Sequence, residues 1–447
     1  MAMVLVFTGF AAMLADVGFS SALVQKQDVG DTHINTVFWV TLFSGAILTL
    51  ATFMFAPLLA GFYGAPSLKP IFRTVALNFT IASIGNVPFA LLQKRMRFKA
   101  IAQIGTWSLL ASGIIGVALA LLGASVWSLV AQTLAASILT TVFRCAACKW
   151  FPRLQFSTAA LKELWHYAGH LYGFNLINYW ARNADNLAVG KYFGASALGA
   201  YSRAYGLMLL PITQVNNVVA QVVFPALSSI QIDKPRVKRI YLRAMGIVTL
   251  VTVPVMIGLA VTARPFIDTV YGTTWGEVAP VLQILALVGV IQVLMNSTGW
   301  IFMSQGKTDV MLKWGVCFST VVITSFAAGI ALGTVRSLAV CYCIANVLLI
   351  YPWLSAAGRV IDMKFKELMA VVVGPFSCSL AMGVIVAGVH QFLPGSWPAW
   401  VVLFVLSAVG ILVYGLMIVA FGIHSWRELL DFMIERWKGS ASAQASP

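Results

Sequence analysis

Long apolar stretches alternate with short polar turns along almost the whole of this 447-residue chain. Thirteen stretches are each near the ~20 residues that an α-helix needs to cross the hydrocarbon core of a bilayer. Their approximate limits are 2–24, 36–62, 70–92, 101–122, 125–147, 165–190, 197–227, 240–262, 278–303, 310–332, 337–357, 367–390 and 398–422. The pattern predicts an all-α, polytopic membrane protein with thirteen visible spans.

One passage of sequence occurs twice, at residues 57–77 and 265–287. The first copy carries Pro57, Tyr63-Gly64, Pro70 and Ala76-Leu77, and the second carries Pro265, Tyr271-Gly272, Pro280 and Ala286-Leu287. A long-period duplication in an apolar chain is typical of transporters built from two homologous halves. We therefore expect an N-terminal bundle at 1–150, a C-terminal bundle at 151–358, and two additional helices with a cytoplasmic tail at 359–447.

The repeat leaves one span without a counterpart. Span 36–62 aligns with 240–262, span 70–92 with 278–303, and span 2–24 with 197–227. The span at 165–190 has no partner, because that partner would precede Met1. The pattern predicts two six-helix bundles plus two helices, with the first helix missing from this sequence. The alternative is a thirteen-helix protein with an external N-terminus.

The charge distribution orients the spans. Only 10% of the residues are charged and 60% are hydrophobic, whereas soluble domains carry about a quarter charged residues. Of the basic residues, 22 fall in one set of alternate loops and 6 in the other. Cytoplasmic loops carry the excess of Lys and Arg, so the C-terminus is predicted to be cytoplasmic. The net charge of +15 is then explained by the basic cytoplasmic loops, without binding of a nucleic acid.

A polar stripe interrupts the span at 165–190. Asn175, Asn178, Arg182 and Asp185 follow one another at intervals of three, four and three, so they share one helical face, and Asn186 flanks it. Charged groups in the middle of a membrane normally face a water-filled cavity or a partner. The stripe is either the lining of a cavity or a structural ion pair between Arg182 and Asp185.

Three further polar residues lie in neighbouring spans. Arg203 stands at the predicted outer end of span 197–227, and Asn217 lies deeper in the same span. Pro211 and Pro225 would bend this helix, and bent helices with freed backbone groups are tolerated where they line a cavity. Asp16 in the first span is a functional candidate or a helix cap.

The sequence lacks the motifs of several chemistries. Residues 306–308 read Gly-Lys-Thr, but a phosphate-binding loop needs glycine at the place of Ile301. No His-Glu-x-x-His motif occurs, and the lone pair Cys145 and Cys148 does not complete a zinc site. We expect a protein that is not an enzyme, with no cofactor and no metal.

Several runs of residues resemble one known family. They are 178–186 (Asn-Tyr-Trp-Ala-Arg-Asn-Ala-Asp-Asn), 201–205 (Tyr-Ser-Arg-Ala-Tyr), 224–228 (Phe-Pro-Ala-Leu-Ser), 16–25 (Asp-Val-Gly-Phe-Ser-Ser-Ala-Leu-Val-Gln) and 92–98 (Leu-Gln-Lys-Arg-Met-Arg-Phe). Over nearly its whole length the chain resembles the Wzx-type polysaccharide flippases, most nearly the WzxC-like branch. These belong to the multidrug/oligosaccharidyl-lipid/polysaccharide exporter superfamily. Members carry one more helix before the position of Met1.

The resemblance implies a function and roles for the polar residues. Such proteins move an undecaprenyl-pyrophosphate-linked oligosaccharide across the bacterial inner membrane for exopolysaccharide, capsule or O-antigen (lipopolysaccharide) biosynthesis. Arg182 and Arg203 would contact phosphate oxygens, because a guanidinium matches them in a fork. The amides of Asn175, Asn178, Asn186 and Asn217 would bind sugar hydroxyls.

The expected partners are the lipid-linked oligosaccharide, membrane lipids, a polysaccharide polymerase and a coupling ion. Asp16 and Asp185 are the candidates to carry H+ or Na+. Two alternatives remain open. A multidrug/cation antiporter of the same superfamily would need acidic residues to dominate the cavity. A membrane-embedded polymerase or ligase would need long external loops with catalytic residues, and the external loops here are short.

Overall fold

The computed structural model describes residues 18–62, 68–423 and 426, and within them the protein is all-α. Fourteen α-helices and one short 3-10 helix, Thr273–Trp275, follow one another in these residues. The α-helices are α1 Phe19–Gln25, α2 Asp31–Phe62, α3 Leu68–Lys94, α4 Phe98–Leu121, α5 Val126–Cys148, α6 Thr158–Tyr192, α7 Gly194–Ser229, α8 Lys234–Val261, α9 Ala263–Val270, α10 Val278–Ser304, α11 Thr308–Ala331, α12 Val335–Val360, α13 Phe365–Phe392 and α14 Ala399–Ala420. The predicted fold class is confirmed.

Eleven of the described helices are long and apolar enough to cross a membrane. Two of the thirteen predicted spans are not among them. Residues 2–17 of the first span lie outside the described residues. The span at 165–190 lies in α6, which has 35 residues but carries polar side chains that lower its mean hydropathy. The chain is a multi-pass membrane protein.

The ends of several helices are fixed by local capping. The Asp233 side chain accepts a hydrogen bond from the backbone N–H of Arg236 at 3.1 Å, and Pro235 occupies the first turn of α8. Thr334 and Ser337 form a reciprocal capping box at the start of α12. Both arrangements satisfy N–H groups that have no partner inside the helix.

Among the described residues, one compact unit comprises 18–62, 68–173 and 306–309. In this unit α3 packs against α1, α2 and α5, and α4 packs against α5. A Cβ added to Gly45 of α2 would lie 2.1 Å from Oγ of Ser83 and 2.7 Å from the carbonyl oxygen of Phe79. Glycine is required there because the α2 and α3 backbones approach closely, which is common between membrane helices.

The second compact unit comprises the described residues 174–305, 310–423 and 426. Helix α10 is its centre, since it contacts α7, α8, α9 and α12. Its apolar side chains are buried on several faces, as Leu282, Val288 and Ile301 illustrate with 0% exposure each. A helix that is apolar all round is expected to be enclosed by others. Helix α13 packs against α8 and α14.

The two copies of the repeat begin equivalent helices. Pro70 is the third residue of α3 and Pro280 is the third residue of α10, and both helices have 27 residues. Proline is tolerated in the first turn because the backbone N–H there has no helical partner. Tyr63 and Gly64 of the first copy lie outside the described residues. The predicted domain boundaries at 150 and 358 stay predictions.

Candidate functional site

A cavity of about 110 Å³ lies within the second unit. Four helices line it: α6, α10, α11 and α12. The lining residues are Phe174, Asn178, Ala181, Arg182, Gln292, Met295, Asn296, Gly299, Met311, Gly315, Phe318, Ser319, Val322, Tyr342 and Trp353. Two of the residues predicted from sequence, Asn178 and Arg182, therefore face one cavity together with polar and aromatic side chains from three other helices.

Arg182 reaches across the cavity to a neutral partner. Its Nη2 donates a hydrogen bond to Oδ1 of Asn296 at 3.1 Å. Both side chains line the cavity, and Arg182 is half-buried. An amide oxygen orients a guanidinium but carries no negative charge to pair with it, and the fork has five N–H donors. The cavity thus holds a cation with donors to spare.

Asp185, one turn further along α6, has other partners than Arg182. The hydroxyl of Tyr201 donates to Oδ2 of Asp185 at 2.9 Å, and the backbone N–H of Asn186 donates to Oδ1 at 2.7 Å. Asp185 is 1% exposed and Tyr201 is 0% exposed. Tyr201 also stacks on Tyr205, with ring centroids 6.1 Å apart. The carboxylate is held by hydrogen bonds and not by an ion pair within 4 Å among the described residues.

Polar groups on α10 complete the lining. Nε2 of Gln292 donates to the hydroxyl of Tyr342 at 2.6 Å, while its buried Oε1 has no hydrogen-bond partner in the described part of the chain. Nε1 of Trp353 donates to Oγ1 of Thr298 at 2.7 Å. A buried oxygen without a partner is costly, so Oε1 of Gln292 is an acceptor open to a ligand hydroxyl.

Gly315 allows α6 and α11 to meet beside the cavity. A Cβ added there would lie 2.5 Å from Cδ2 and 2.8 Å from Cε2 of the Phe174 ring. Real side chains essentially never approach so closely, and a ring cannot fold away as a flexible chain does. The glycine therefore sets the distance between two of the helices that line the cavity.

The other predicted site residues that the structure describes do not line this cavity. Asn175 is half-buried, and a buried side-chain oxygen of Asn186 has no hydrogen-bond partner among the described residues. Arg203 is exposed, with its guanidinium carbon 5.9 Å from the ring centroid of Tyr271. Asn217 is exposed on α7. Asp16 lies outside the described residues. The roles given to these residues stay predictions.

Sequence reasoning missed the residues that α10 contributes. Gln292 and Asn296 stand four residues apart in the middle of an otherwise apolar span, so they share a helical face. Amides at this spacing inside a span are themselves a signal for a polar lining. Tyr342 and Trp353 gave no such signal, because aromatic residues are common in the packing of any membrane helix.

The described residues contain no group of three or more His, Cys, Asp or Glu side chains that could hold a metal ion. All six cysteines are free. What the cavity offers chemically is one guanidinium, several amides, hydroxyl groups and aromatic rings. This set suits the recognition of an anion and of hydroxyl groups.

Comparison with known proteins gives a family and a fold. A family model described as "Polysaccharide biosynthesis protein" matches residues 1–280. One relative is the succinoglycan biosynthesis transport protein ExoT of Rhizobium meliloti (strain 1021), to which the chain is 26% identical over 449 residues. The match covers all of this chain and 90% of the relative. The chain is 26% identical over 331 residues, 73% of this chain and 66% of the relative, to the lipopolysaccharide biosynthesis protein WzxC of Escherichia coli (strain K12). The resemblance to Wzx-type proteins is confirmed.

Among solved structures, the lipid II flippase MurJ in its inward closed conformation matches with a TM-score of 0.61. The match covers 96% of this chain and 92% of MurJ at 15% sequence identity. At 15% identity the match establishes a similar fold and nothing further. This chain and MurJ therefore share an all-α fold.

Proposed function

The chain belongs to the polysaccharide biosynthesis protein family, and on that premise we propose that it is a flippase for a lipid-linked oligosaccharide. In this proposal the substrate is an undecaprenyl-pyrophosphate-linked oligosaccharide used for exopolysaccharide, capsule or O-antigen assembly. The protein acts as a transporter and not as an enzyme. Relatives named for the biosynthesis and transport of polysaccharides support this proposal.

The hydrogen bond of Arg182 to a neutral amide, which leaves most of its N–H donors free for a ligand, is the observation that carries the proposal. The only described hydrogen-bond partner of this guanidinium is the amide of Asn296, at 3.1 Å. Burying a guanidinium in a membrane costs free energy unless an anionic or polar partner compensates its charge. A pyrophosphate supplies that partner through two parallel N–H···O contacts. The phosphate end of the substrate is therefore assigned to Arg182.

The sugar end is assigned to the amides and hydroxyls around Arg182. Asn178 and Gln292 offer donors and acceptors, and Oε1 of Gln292 has no partner among the described residues. Ring hydroxyls of a sugar both donate and accept hydrogen bonds, and so match amides. The aromatic side chains of Phe318 and Trp353 provide apolar walls for the C–H faces of the same sugar.

The multidrug/cation antiporter reading is weaker on this geometry. A cationic drug would meet a guanidinium in the cavity, and Asp185 is not among the residues that line it. Like charges at short range disfavour binding. A polymerase or ligase would need a catalytic set, and the residues that line the cavity provide no nucleophile with a neighbouring base.

Coupling, topology and partners complete the proposal. Asp185, and Asp16 beyond the described residues, would carry H+ or Na+. The chain is placed in the bacterial inner membrane with a cytoplasmic C-terminus, on the basis of its Lys and Arg bias. A polysaccharide polymerase would take up the exported oligosaccharide.

Deletion and complementation in the source bacterium test this function. Loss of the gene is expected to abolish one surface polysaccharide, and the wild-type chain should restore it. Arg182→Ala should not restore it, although the protein reaches the membrane. Arg336→Ala, at an exposed arginine on α12, is the matched control and should restore export fully. Normal polysaccharide in the deletion strain would refute the proposal.

A further inference from the structure

The segment 149–157, which joins α5 to α6, exposes large apolar side chains outside any spanning helix. Phe151 is 81% exposed, Leu154 is 91% exposed and Phe156 is 56% exposed. Lipid-facing residues within a span need no further explanation, but these three lie in a connecting loop. Clustered apolar side chains outside the packed core mark an interaction surface.

The backbone of this segment is fixed and not free to bury those side chains. The N–H of Arg153 donates to Oδ1 of Asn35 at 2.8 Å, and the carbonyl of Arg153 accepts from Nε1 of Trp39 at 2.9 Å. The N–H of Ser157 donates to Oγ1 of Thr36 at 3.1 Å. These hydrogen bonds hold the segment against the first turns of α2, and its apolar side chains remain exposed.

Basic residues lie in the segment and next to it along the chain. Lys149 and Arg153 lie in the segment and Lys162 lies one turn into α6; all three are exposed. Nη1 of Arg97, just before α4, donates to the carbonyl oxygen of Ala147 at 2.9 Å. Acidic groups nearby compensate little of this charge. Oδ2 of Asp31 lies 3.8 Å from Nη1 of Arg153, and both side chains are more than 60% exposed. The carboxylate of Glu163 pairs with Lys26 and His33.

Tryptophans lie at the base of the segment. Trp150 packs on Phe38 at 5.7 Å between ring centroids, and Trp39 bonds the Arg153 carbonyl. Tryptophan is enriched where membrane helices leave the hydrocarbon core. Helix α5 is long and apolar enough to cross a membrane and ends at Cys148, directly before the segment.

We propose that the segment 149–157 lies in the headgroup region of the bilayer and binds anionic phospholipid headgroups. Phe151, Leu154 and Phe156 insert below the phosphates, while Lys149, Arg153 and Lys162 contact the phosphates themselves. This combination of apolar and cationic groups is what a shallow interfacial anchor uses. A phospholipid surface fits better than a protein partner, because the segment follows a span directly and its cations flank its apolar side chains.

Measurement of depth tests the proposal on the full-length chain in vesicles. A fluorescent label on Leu154→Cys, in a chain with the six native cysteines replaced, is exposed to aqueous iodide and to a nitroxide carried on lipid headgroups. Phosphatidylcholine vesicles are compared with vesicles that also contain phosphatidylglycerol. The same label on Ser396→Cys, at an exposed position in the loop between α13 and α14, is the control. We expect a several-fold smaller iodide quenching constant at 154 than at 396, and strong headgroup quenching at 154 only.

The charges are tested by Lys149→Gln, Arg153→Gln and Lys162→Gln combined. This variant should lose the deeper insertion that phosphatidylglycerol produces, while Lys69→Gln with Arg336→Gln should keep it.

Should the cysteine-free chain not fold, the thermal midpoint of the native chain in detergent is measured instead. Phosphatidylglycerol should then raise the midpoint more than phosphatidylcholine does, and the triple variant should lose that difference. Three results would overturn the proposal. Iodide could quench the label equally at 154 and at 396, or the label at 154 could be shielded only after a soluble protein fraction is added. The third is a thermal midpoint that is the same with both lipids.

Discussion

The hydroxyl of Tyr201 donates to the carboxylate of Asp185 at 2.9 Å, and neither residue is more than 1% exposed. The bond joins α7 to α6 and holds the Asp185 side chain in place. Tyr201→Phe should therefore destabilise the protein by about 1.5 to 3 kcal/mol, the range for a lost hydrogen bond to a charged group. Thermal unfolding in detergent measures this. Tyr192→Phe, at an exposed position, should leave the midpoint unchanged, and equal midpoints for both variants would argue against the bond.

Asp185→Asn is expected to separate stability from coupling. The amide keeps the shape of the carboxylate, but its single oxygen can accept from only one of the two donors, the Tyr201 hydroxyl and the Asn186 backbone N–H. It also lacks the negative charge that would bind a proton or hold a sodium ion. Gradient-driven transport should fall to the level seen without a gradient, while the folded protein persists. A variant that still responds fully to an imposed H+ or Na+ gradient would move the coupling site elsewhere.

The helices were predictable, whereas the pairing of residues across them was not. The predicted span 240–262 corresponds to α8, Lys234–Val261, since apolar runs and polar turns are local signals. The contact of Arg182 with Asn296 joins residues 114 positions apart, and it depends on which faces of α6 and α10 meet. Arg203 shows the same limit, because its position in the chain gave no sign that it lies beside Tyr271.

Gly315→Ala should disturb the cavity through packing. The new Cβ would meet the Phe174 ring at 2.5 Å, and overpacking of this kind typically costs about 1 to 3 kcal/mol. We expect a lower thermal midpoint and weaker transport. Gly206→Ala is the control, because no atom lies within 4 Å of its added Cβ. A midpoint for Gly315→Ala as high as that of the control would show that α6 and α11 do not approach as described.

Glu163 makes a pH-dependent contribution to stability. Hydrogen bonds from Lys26 and then from His33 lower the pKa of this carboxyl to about 2. Its stabilising effect is present above its ordinary pKa of 4.5 and is lost as the pH falls toward 2. The effect is small because Glu163 is exposed. Midpoints of wild type and Glu163→Gln, measured from neutral pH downward, should converge in this window. Curves that stay parallel would contradict the contacts.

Transport should not depend on ATP hydrolysis by this chain. The sequence lacks a phosphate-binding loop, since Ile301 stands where glycine is required. The purified chain in vesicles should move substrate at the same rate with and without ATP. A rate that rises on addition of ATP, in the absence of any other protein, would contradict this.

Flipping of a labelled undecaprenyl-pyrophosphate-linked oligosaccharide by the purified chain in vesicles tests the central claim most directly. The fraction of label that becomes accessible on the opposite side is followed for wild type, Arg182→Ala and the control Arg336→Ala. The loss of a charged hydrogen bond to phosphate predicts a rate for Arg182→Ala that is lower by roughly tenfold or more. Wild type and the control should flip equally fast. Equal rates for all three chains, or no flipping by wild type, would contradict the account.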